Sequence, residues 1–218
     1  MSDWLVWQVV DSAFPTGTFA HSWGLEAAWQ QGEIETPAAL EAFVRASAQQ
    51  AAYASIPLVN AAYRDPDRLE TFDELAEAFL LNAVANRASR IQGRTLVTTA
   101  CRVWPSEAIA ALARRAQSLH AHAAPLTGAT FRAIDLPLAT VQRVVLYATA
   151  RGVLSAAVRL GIVGSYEAQR TQYGCGPRLD CLAARCADLD ETDLVQTAPV
   201  IDLLQAAHDR LYSRLFQS

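Results

Sequence analysis

We expect this sequence to fold into an all-α protein, because three observations favour helices over strands. Hydrophobic residues make up 52% of its 218 residues and charged residues only 18%, which is enough apolar material for a packed core. The apolar excess is mostly alanine, a strong helix former. No segment of convincing length alternates apolar and polar residues as a strand does. The prediction is one helical domain over residues 1–218, with roughly eight to ten helices around a buried central helix.

The N-terminal part predicts three helices separated by glycine and proline. The first covers Trp4–Val10, where nearly every residue is apolar, so we expect it to be buried on most sides. The second covers residues 25–30 and stops at Gly32. The third opens at Thr36-Pro37, with threonine as its cap and proline in its first turn, and Pro57 is expected to end or kink it.

The middle of the chain predicts two helices and a loop. Thr71 and Glu74 have the spacing of a capping box ahead of an apolar-periodic stretch, which predicts a long helix toward Ala100. A further helix is expected over residues 107–120. Residues 125–137 contain a glycine and two prolines, so they predict a loop with one short helix.

Residues 138–160 predict the central helix, because they are apolar nearly all round and Gly161 is placed as a C-terminal stop. Ala148, Gly152 and Ala156 recur along it every four residues, so we expect a second helix to approach its backbone closely there. The same small residues and the apolar surplus predict a homodimer.

Charge and basic-residue usage exclude several function classes. The formal net charge is −4 and the pI is near 5.5, so nucleic acid is not an expected partner. All 18 basic residues are arginine, so the chain lacks the lysine of a phosphate-binding loop or of a Schiff base. A GTPase or kinase that works by those routes is excluded.

No feature directs the chain to a membrane or to secretion. No uninterrupted apolar run approaches the roughly 20 residues of a membrane span, and Asp3 stands where a secretory signal carries positive charge. We therefore expect a soluble cytoplasmic protein with free thiols on its four cysteines.

Neither a metal site, a cofactor site nor a catalytic constellation is predicted. Cys175, Cys181 and Cys186 lack C-x-x-C spacing, and the first lies in a Gly-Cys-Gly-Pro sequence that predicts a turn. His120 and His122 point to different sides of a helix, and no acidic or cysteine ligand is placed to complete a site with them.

Residues 11–26, DSAFPTGTFAHSWGLE, closely resemble the N-terminal signature of the UreF family of urease accessory proteins, D-S-x-x-P-x-G-x-[FY]-x-[HY]-S-x-G-L-E. Blocks at residues 90–96, 153–160 and 167–170 agree with that family in the same order. Residues 213–218, SRLFQS, resemble the family's S-R-L-F-x-S terminus. The resemblance covers the whole chain.

The resemblance implies a helical, dimeric accessory protein that binds UreD, also called UreH. The pair recruits the nickel-carrying GTPase UreG, and the assembly delivers metal to apo-urease. The implied role is that of a scaffold and regulator rather than an enzyme.

Two alternatives of other classes remain open. One is a helical enzyme of the haem-oxygenase or prenyl-synthase kind, with His21 as a ligand or acidic residues as metal clamps, although the sequence lacks paired aspartate-rich motifs. The other is a direct nickel chaperone, which would need a compact His/Cys site or a His-rich tract. Four scattered histidines do not supply one.

The loop over residues 11–26 divides into structural and partner-binding positions. Phe19 and His21 are predicted to contact a partner, because aromatic anchors dominate interface energetics. The structural positions, which shape the turn and relieve backbone crowding, are Asp11, Pro15, Gly17 and Gly24.

A final helix is predicted to begin near Pro199 and to continue to the end of the chain. Tyr212 and Phe216 lie beside arginines in its last turns, and a chain end frays unless something holds it. The resemblance favours a tail ordered by UreD/UreH, with Arg214 in a charged contact and both aromatic residues at the interface. Docking of this helix on the protein's own core is the alternative.

Overall fold

Residues 3–217, which the computed structural model describes, form helices joined by short turns, and this range contains no β-strand. The all-α prediction is therefore confirmed. The α-helices in chain order are α1 (Asp3–Val10), α2 (Leu25–Gln30), α3 (Pro37–Gln50), α4 (Ile56–Arg64), α5 (Leu69–Phe79), α6 (Ala83–Val103), α7 (Glu107–Ala116), α8 (Ala123–Ala133), α9 (Leu138–Arg159), α10 (Ser165–Cys186) and α11 (Pro199–Ala207).

The predicted central helix is confirmed as α9, which contacts α1, α2, α3, α4, α8 and α10. Gly161 follows its last turn with a φ of 73°, as expected of a glycine that stops a helix. At Gly152, one of the three small residues on α9, the neighbour differs from the one expected. A Cβ on Gly152 would lie 2.8 Å from the Trp23 indole nitrogen, so an aromatic side chain, not a helix, makes the close approach there.

Ala148 and Gly152 line a cavity of about 320 Å³ between α9 and helices α3, α4, α6, α8 and α11. Its wall includes part of a π-helical segment, Ala51–Ser55, which joins α3 to α4. The third helix ends at Gln50, before this segment, and Pro57 lies in the first turn of α4, where its missing N–H is tolerated.

Residues 125–137 were expected to be mainly loop, and this is wrong, because α8 occupies most of them. Pro125 lies in the first turn of α8, where its missing N–H is tolerated. Gly128 allows close packing, since a Cβ there would lie 2.2 Å from the carbonyl oxygen of Val59 in α4. The glycine therefore serves helix contact rather than a turn.

The helix predicted from Thr71 toward Ala100 is two helices. The α5 helix already begins at Leu69, so Thr71 lies inside it and is not a cap. The first of them, α5, ends at Phe79. Asn82 then caps α6, because its side-chain oxygen accepts hydrogen bonds from the N–H groups of Val84 and Ala85 at 3.0 and 3.4 Å.

The turn predicted at Cys175 is also wrong, because α10 runs straight through it. Its apolar face packs on α9 and buries Cys175 and Leu182, and this packing outweighs the poor helix propensity of two glycines and Pro177.

The first helix lies on the surface rather than in the core. Only one face of α1 packs on α9, and Trp4 and Trp7 are exposed on the other, in edge-to-face contact with ring centroids 5.1 Å apart. Within residues 3–217, no helix has both the length and the apolar character that crossing a membrane requires.

Candidate partner-binding site

The C-terminal tail folds back onto the signature loop instead of continuing as a helix. The α11 helix ends at Ala207, a 3-10 turn covers His208–Arg210, and residues 211–217 leave the helical path. The predicted helix to the chain end is therefore wrong beyond Ala207, and Ser218 lies outside the described residues. Tail and loop are brought together because Phe216 packs into the core formed by α2, α3, α9 and α10.

The loop has a fixed shape that its short-range contacts explain. Gly17 and Gly24 have φ values of 75° and 84°, a region that favours glycine. Asp11 accepts a hydrogen bond from the Ala13 N–H at 2.6 Å, and the Pro15 carbonyl accepts one from a threonine hydroxyl of α6 at 2.7 Å. A Cβ on Gly24 would lie 3.1 Å from the Gln205 nitrogen, so glycine also lets α11 pack against the loop.

Glu26, the last residue of the signature, holds the tail. Its side chain is buried, with the residue only 2% exposed. One carboxylate oxygen accepts the Leu215 N–H at 2.6 Å, and the other accepts the Phe216 N–H at 3.1 Å. The second oxygen also lies 3.1 Å from Nε2 of the buried His208. One carboxylate thus binds both the start and the end of the tail.

Arg159 links loop, tail and α9 in a stack. Its guanidinium carbon lies 3.8 Å from the centroid of the Phe19 ring and 3.9 Å from that of the Phe216 ring. Its Nη2 donates to the Phe19 carbonyl at 2.6 Å. Burial lowers the pKa of Arg159, although the nearby Glu26 opposes this. A cation held between two aromatic faces is stabilised by both ring quadrupoles.

A second, more exposed set of contacts joins the tail to α6. Asp209 accepts two hydrogen bonds from Arg87 at 2.9 and 3.1 Å and one from Arg214 at 3.3 Å. A surface depression of about 450 Å³ lies beside these ion pairs and is lined by Arg87, Arg214 and Ile91. Arg214, which was predicted to make a charged contact with the partner, thus forms an ion pair with Asp209 of the same chain.

The five predicted partner-binding residues divide by exposure. Phe19 is 63% exposed on the face opposite Arg159, Tyr212 is fully exposed, and Arg214 is exposed. His21 and Phe216 are only 3% and 5% exposed. Burial, helped by the nearby positive charges of His208 and Arg87, lowers the pKa of His21 to about 4.

Sequence reasoning missed three residues of this site: Glu26, Arg159 and His208. A signal was available for the first, because Glu26 is the one charged residue of α2 among buried apolar neighbours. No local pattern pairs it with a tail 190 residues away.

The prediction that His120 and His122 point to different sides of a helix is wrong, because both lie in the turn after α7 and both approach the Glu77 carboxylate. Nε2 of His122 lies 2.8 Å from this carboxylate and Nδ1 of His120 lies 3.8 Å away, while Nδ1 of His122 lies 3.1 Å from the Ser89 hydroxyl. Among the described residues, no three His, Cys, Asp or Glu side chains are arranged to hold a metal ion.

The four cysteines, all within the described range, are free. Burial raises the pKa of the Cys186 thiol to about 11 and also raises that of Cys175. Cys101 and Cys181 are exposed.

Comparisons with known proteins agree along the chain. A family model described as UreF matches residues 34–176. The "Urease accessory protein F" of Arabidopsis thaliana is 35% identical, covering 99% of this chain and 92% of its own length. The protein of the same name from Oryza sativa subsp. indica is 34% identical, covering 98% and 84%. "Urease accessory protein UreF" of Rhodopseudomonas palustris (strain BisA53) is 30% identical, covering 94% and 89%.

Proposed function

The chain belongs to the UreF family of urease accessory proteins, and we propose that in urease maturation it is a non-catalytic scaffold that binds UreD/UreH and recruits the GTPase UreG. In this role the assembly works in the cytoplasm and delivers nickel, as cargo, to apo-urease. The chain itself supplies binding surfaces, and it has no lysine with which a phosphate-binding loop could hold a nucleotide.

The observation that carries this proposal is the single surface formed by the signature loop and the tail. Phe19 on the loop and Tyr212, Arg214 and Leu215 on the tail are all exposed. Loop and tail are joined by a hydrogen bond from the Gln217 N–H to the Ala20 carbonyl at 2.8 Å. Aromatic residues and arginine are enriched at the centres of protein interfaces, where they provide most of the binding energy. His21 and Phe216 support this surface from beneath.

Pull-down and titration with purified UreD/UreH test the proposal. Phe19→Ala and Tyr212→Ala should each weaken binding about thirtyfold, since an interface anchor is worth about 2 kcal/mol. Tyr173→Ala is the matched control, because Tyr173 is an equally exposed tyrosine on α10. If both test variants bind UreD/UreH like the unaltered protein, the proposed interface is wrong.

The proposed assembly contains two copies of this chain. The exposed Trp4 and Trp7 of α1 support this part of the proposal, because large apolar side chains on a surface mark association sites. Light scattering should give twice the 23.6 kDa chain mass, and changing both tryptophans to serine should halve it. A monomer mass for the unaltered protein across micromolar concentrations would refute the dimer.

A further inference from the structure

Glu26 is a buried acidic residue, and the described hydrogen-bond contacts of its side chain are with the segment from His208 to Phe216. Transfer of a carboxylate from water into the interior is costly unless hydrogen bonds compensate it. Here the compensation comes from the N–H groups of Leu215 and Phe216 and from the ring of His208. Glu26 itself is 2% exposed, so it has no surface to offer a partner.

The two N–H groups belong to consecutive residues, and both converge on one carboxylate. Consecutive N–H groups that face one anion fix the backbone between them, as in anion-binding nests. The same backbone path buries the Phe216 ring beneath Arg159 and leaves Leu215 exposed. The carboxylate therefore binds the tail backbone at the point where one side chain, Phe216, is buried and the preceding one, Leu215, is exposed.

The contacts of Asp209 do not have this effect. Asp209 and both of its arginine partners are exposed, and exposed ion pairs contribute little to stability. Gln30 donates one hydrogen bond to the Ser213 carbonyl at 3.0 Å, but this contact is also exposed. Two other described contacts also hold the tail, namely the hydrogen bond from the Gln217 N–H to the Ala20 carbonyl at 2.8 Å and the packing of the Phe216 ring in the core. The Glu26 carboxylate differs from both because it is a single buried side chain that binds two consecutive N–H groups of the tail and can be changed by one substitution.

We propose that Glu26 is a positioning residue that holds the tail in its partner-binding conformation without touching the partner. This rests on the proposed function, namely that the loop–tail surface binds UreD/UreH. A tail fixed before binding loses less conformational entropy when the complex forms, so affinity depends on the fraction of chains whose tail is docked.

The first experiment uses the free protein and needs no partner. The chain has no lysine, so trypsin can cut the tail only after Arg210 and Arg214. In Glu26→Ala, cleavage after Arg214 and hydrogen exchange of the Phe216 amide should both be at least tenfold faster than in the unaltered protein. Glu26→Gln, which keeps one acceptor oxygen, should fall between them. Glu33→Gln changes an exposed glutamate beyond α2 and should match the unaltered protein.

The second experiment measures affinity for UreD/UreH by titration. Glu26→Ala should raise Kd at least tenfold, equivalent to about 1.4 kcal/mol. Far-UV circular dichroism shows whether it is folded. Because loss of a buried group can impair folding, a second pair of variants leaves Glu26 intact. Leu215→Pro removes the N–H that Glu26 accepts, whereas Leu215→Ala removes only side-chain atoms beyond Cβ. The proline variant should bind at least tenfold more weakly than the alanine variant.

Three results would overturn the proposal. One is tryptic cleavage of Glu26→Ala at the unaltered rate, which would mean that the carboxylate does not hold the tail. Another is an affinity result that contradicts the role of the docked tail. If Leu215→Pro and Leu215→Ala bind UreD/UreH equally well, the docked tail does not affect binding; if Glu26→Ala binds more tightly than the unaltered protein, the docked tail inhibits binding. The third is lack of UreD/UreH binding by the unaltered protein, which refutes the proposed function and the positioning role, while the cleavage result still reports whether Glu26 holds the tail.

Discussion

Replacing Gly93 by alanine tests how tightly α6 packs against the segment that precedes α8. A Cβ on Gly93 would lie 2.1 Å from the carbonyl oxygen of Ala121 and 2.9 Å from the carbonyl carbon of His122. Ala121 has a φ of 71°, and the Asp73 carboxylate accepts hydrogen bonds from the N–H groups of Ala121 and His122 at 3.2 and 2.7 Å. The segment cannot move away without straining these buried hydrogen bonds.

The expected cost combines three effects. The two segments must separate by about 1 Å to reach van der Waals contact, and such overpacking costs about 1–3 kcal/mol. Weakening a buried hydrogen bond adds about 1–3 kcal/mol, and the better helix propensity of alanine offsets about 1 kcal/mol. We expect Gly93→Ala to lose about 3 kcal/mol, which lowers Tm by about 6–12 °C for a chain of this size.

Thermal melting followed by far-UV circular dichroism measures the effect. Gly174→Ala is the control, because Gly174 also lies inside a helix but has open space around its Cβ position. This control should melt at the unaltered temperature or slightly above it. A Gly93→Ala protein that melts as high as Gly174→Ala would refute the steric argument.

Three further predictions concern the tail, a histidine and the thiols. Removal of residues 214–218 should abolish UreD/UreH binding in pull-down and lower Tm by several degrees, because Glu26 loses two hydrogen-bond donors; an unchanged Tm would contradict the role of this contact. In urea unfolding, the free energy of unfolding should fall as pH drops from 6.5 toward about 4, because the unfolded state binds a proton at His21 and the folded state does not. His21 contributes up to about 1.4 kcal/mol per pH unit, and His122, whose pKa burial also lowers, adds to the slope; His21→Gln should reduce the slope without removing it. A thiol reagent should modify Cys101 and Cys181 quickly and the two buried cysteines only on unfolding, and rapid modification of all four would contradict their burial.

Local signals in the sequence were sufficient for the fold class and for several helix ends. The α3 cap is one example, since Thr36 accepts the Ala39 N–H at 3.1 Å as its position before Pro37 predicts. The same signals failed where packing outweighed propensity. Pro177 does not interrupt α10, because the helix buries an apolar face on α9, and no residue near Pro177 reveals that contact.

The loop and the tail of the site could each be predicted from the sequence, but the contact between them could not. The loop and tail motifs could each be located, and Phe19 and Tyr212 are exposed as expected of partner contacts. The contact between Glu26 and Phe216 depends on the path of the whole chain, so periodicity and capping rules cannot find it. For the same reason the tail was expected to remain helical.

The hydrogen bond between Glu26 and Phe216 also has a consequence for the order in which the protein is made. It joins residues 190 apart, so the N-terminal helices can begin to pack before the tail has been synthesised. A chain released early, after residue 207, would contain every helix but would leave the Glu26 carboxylate without the donors that compensate its burial. Such a shortened chain would also lack the tail half of the loop–tail surface, so we expect it to bind UreD/UreH weakly.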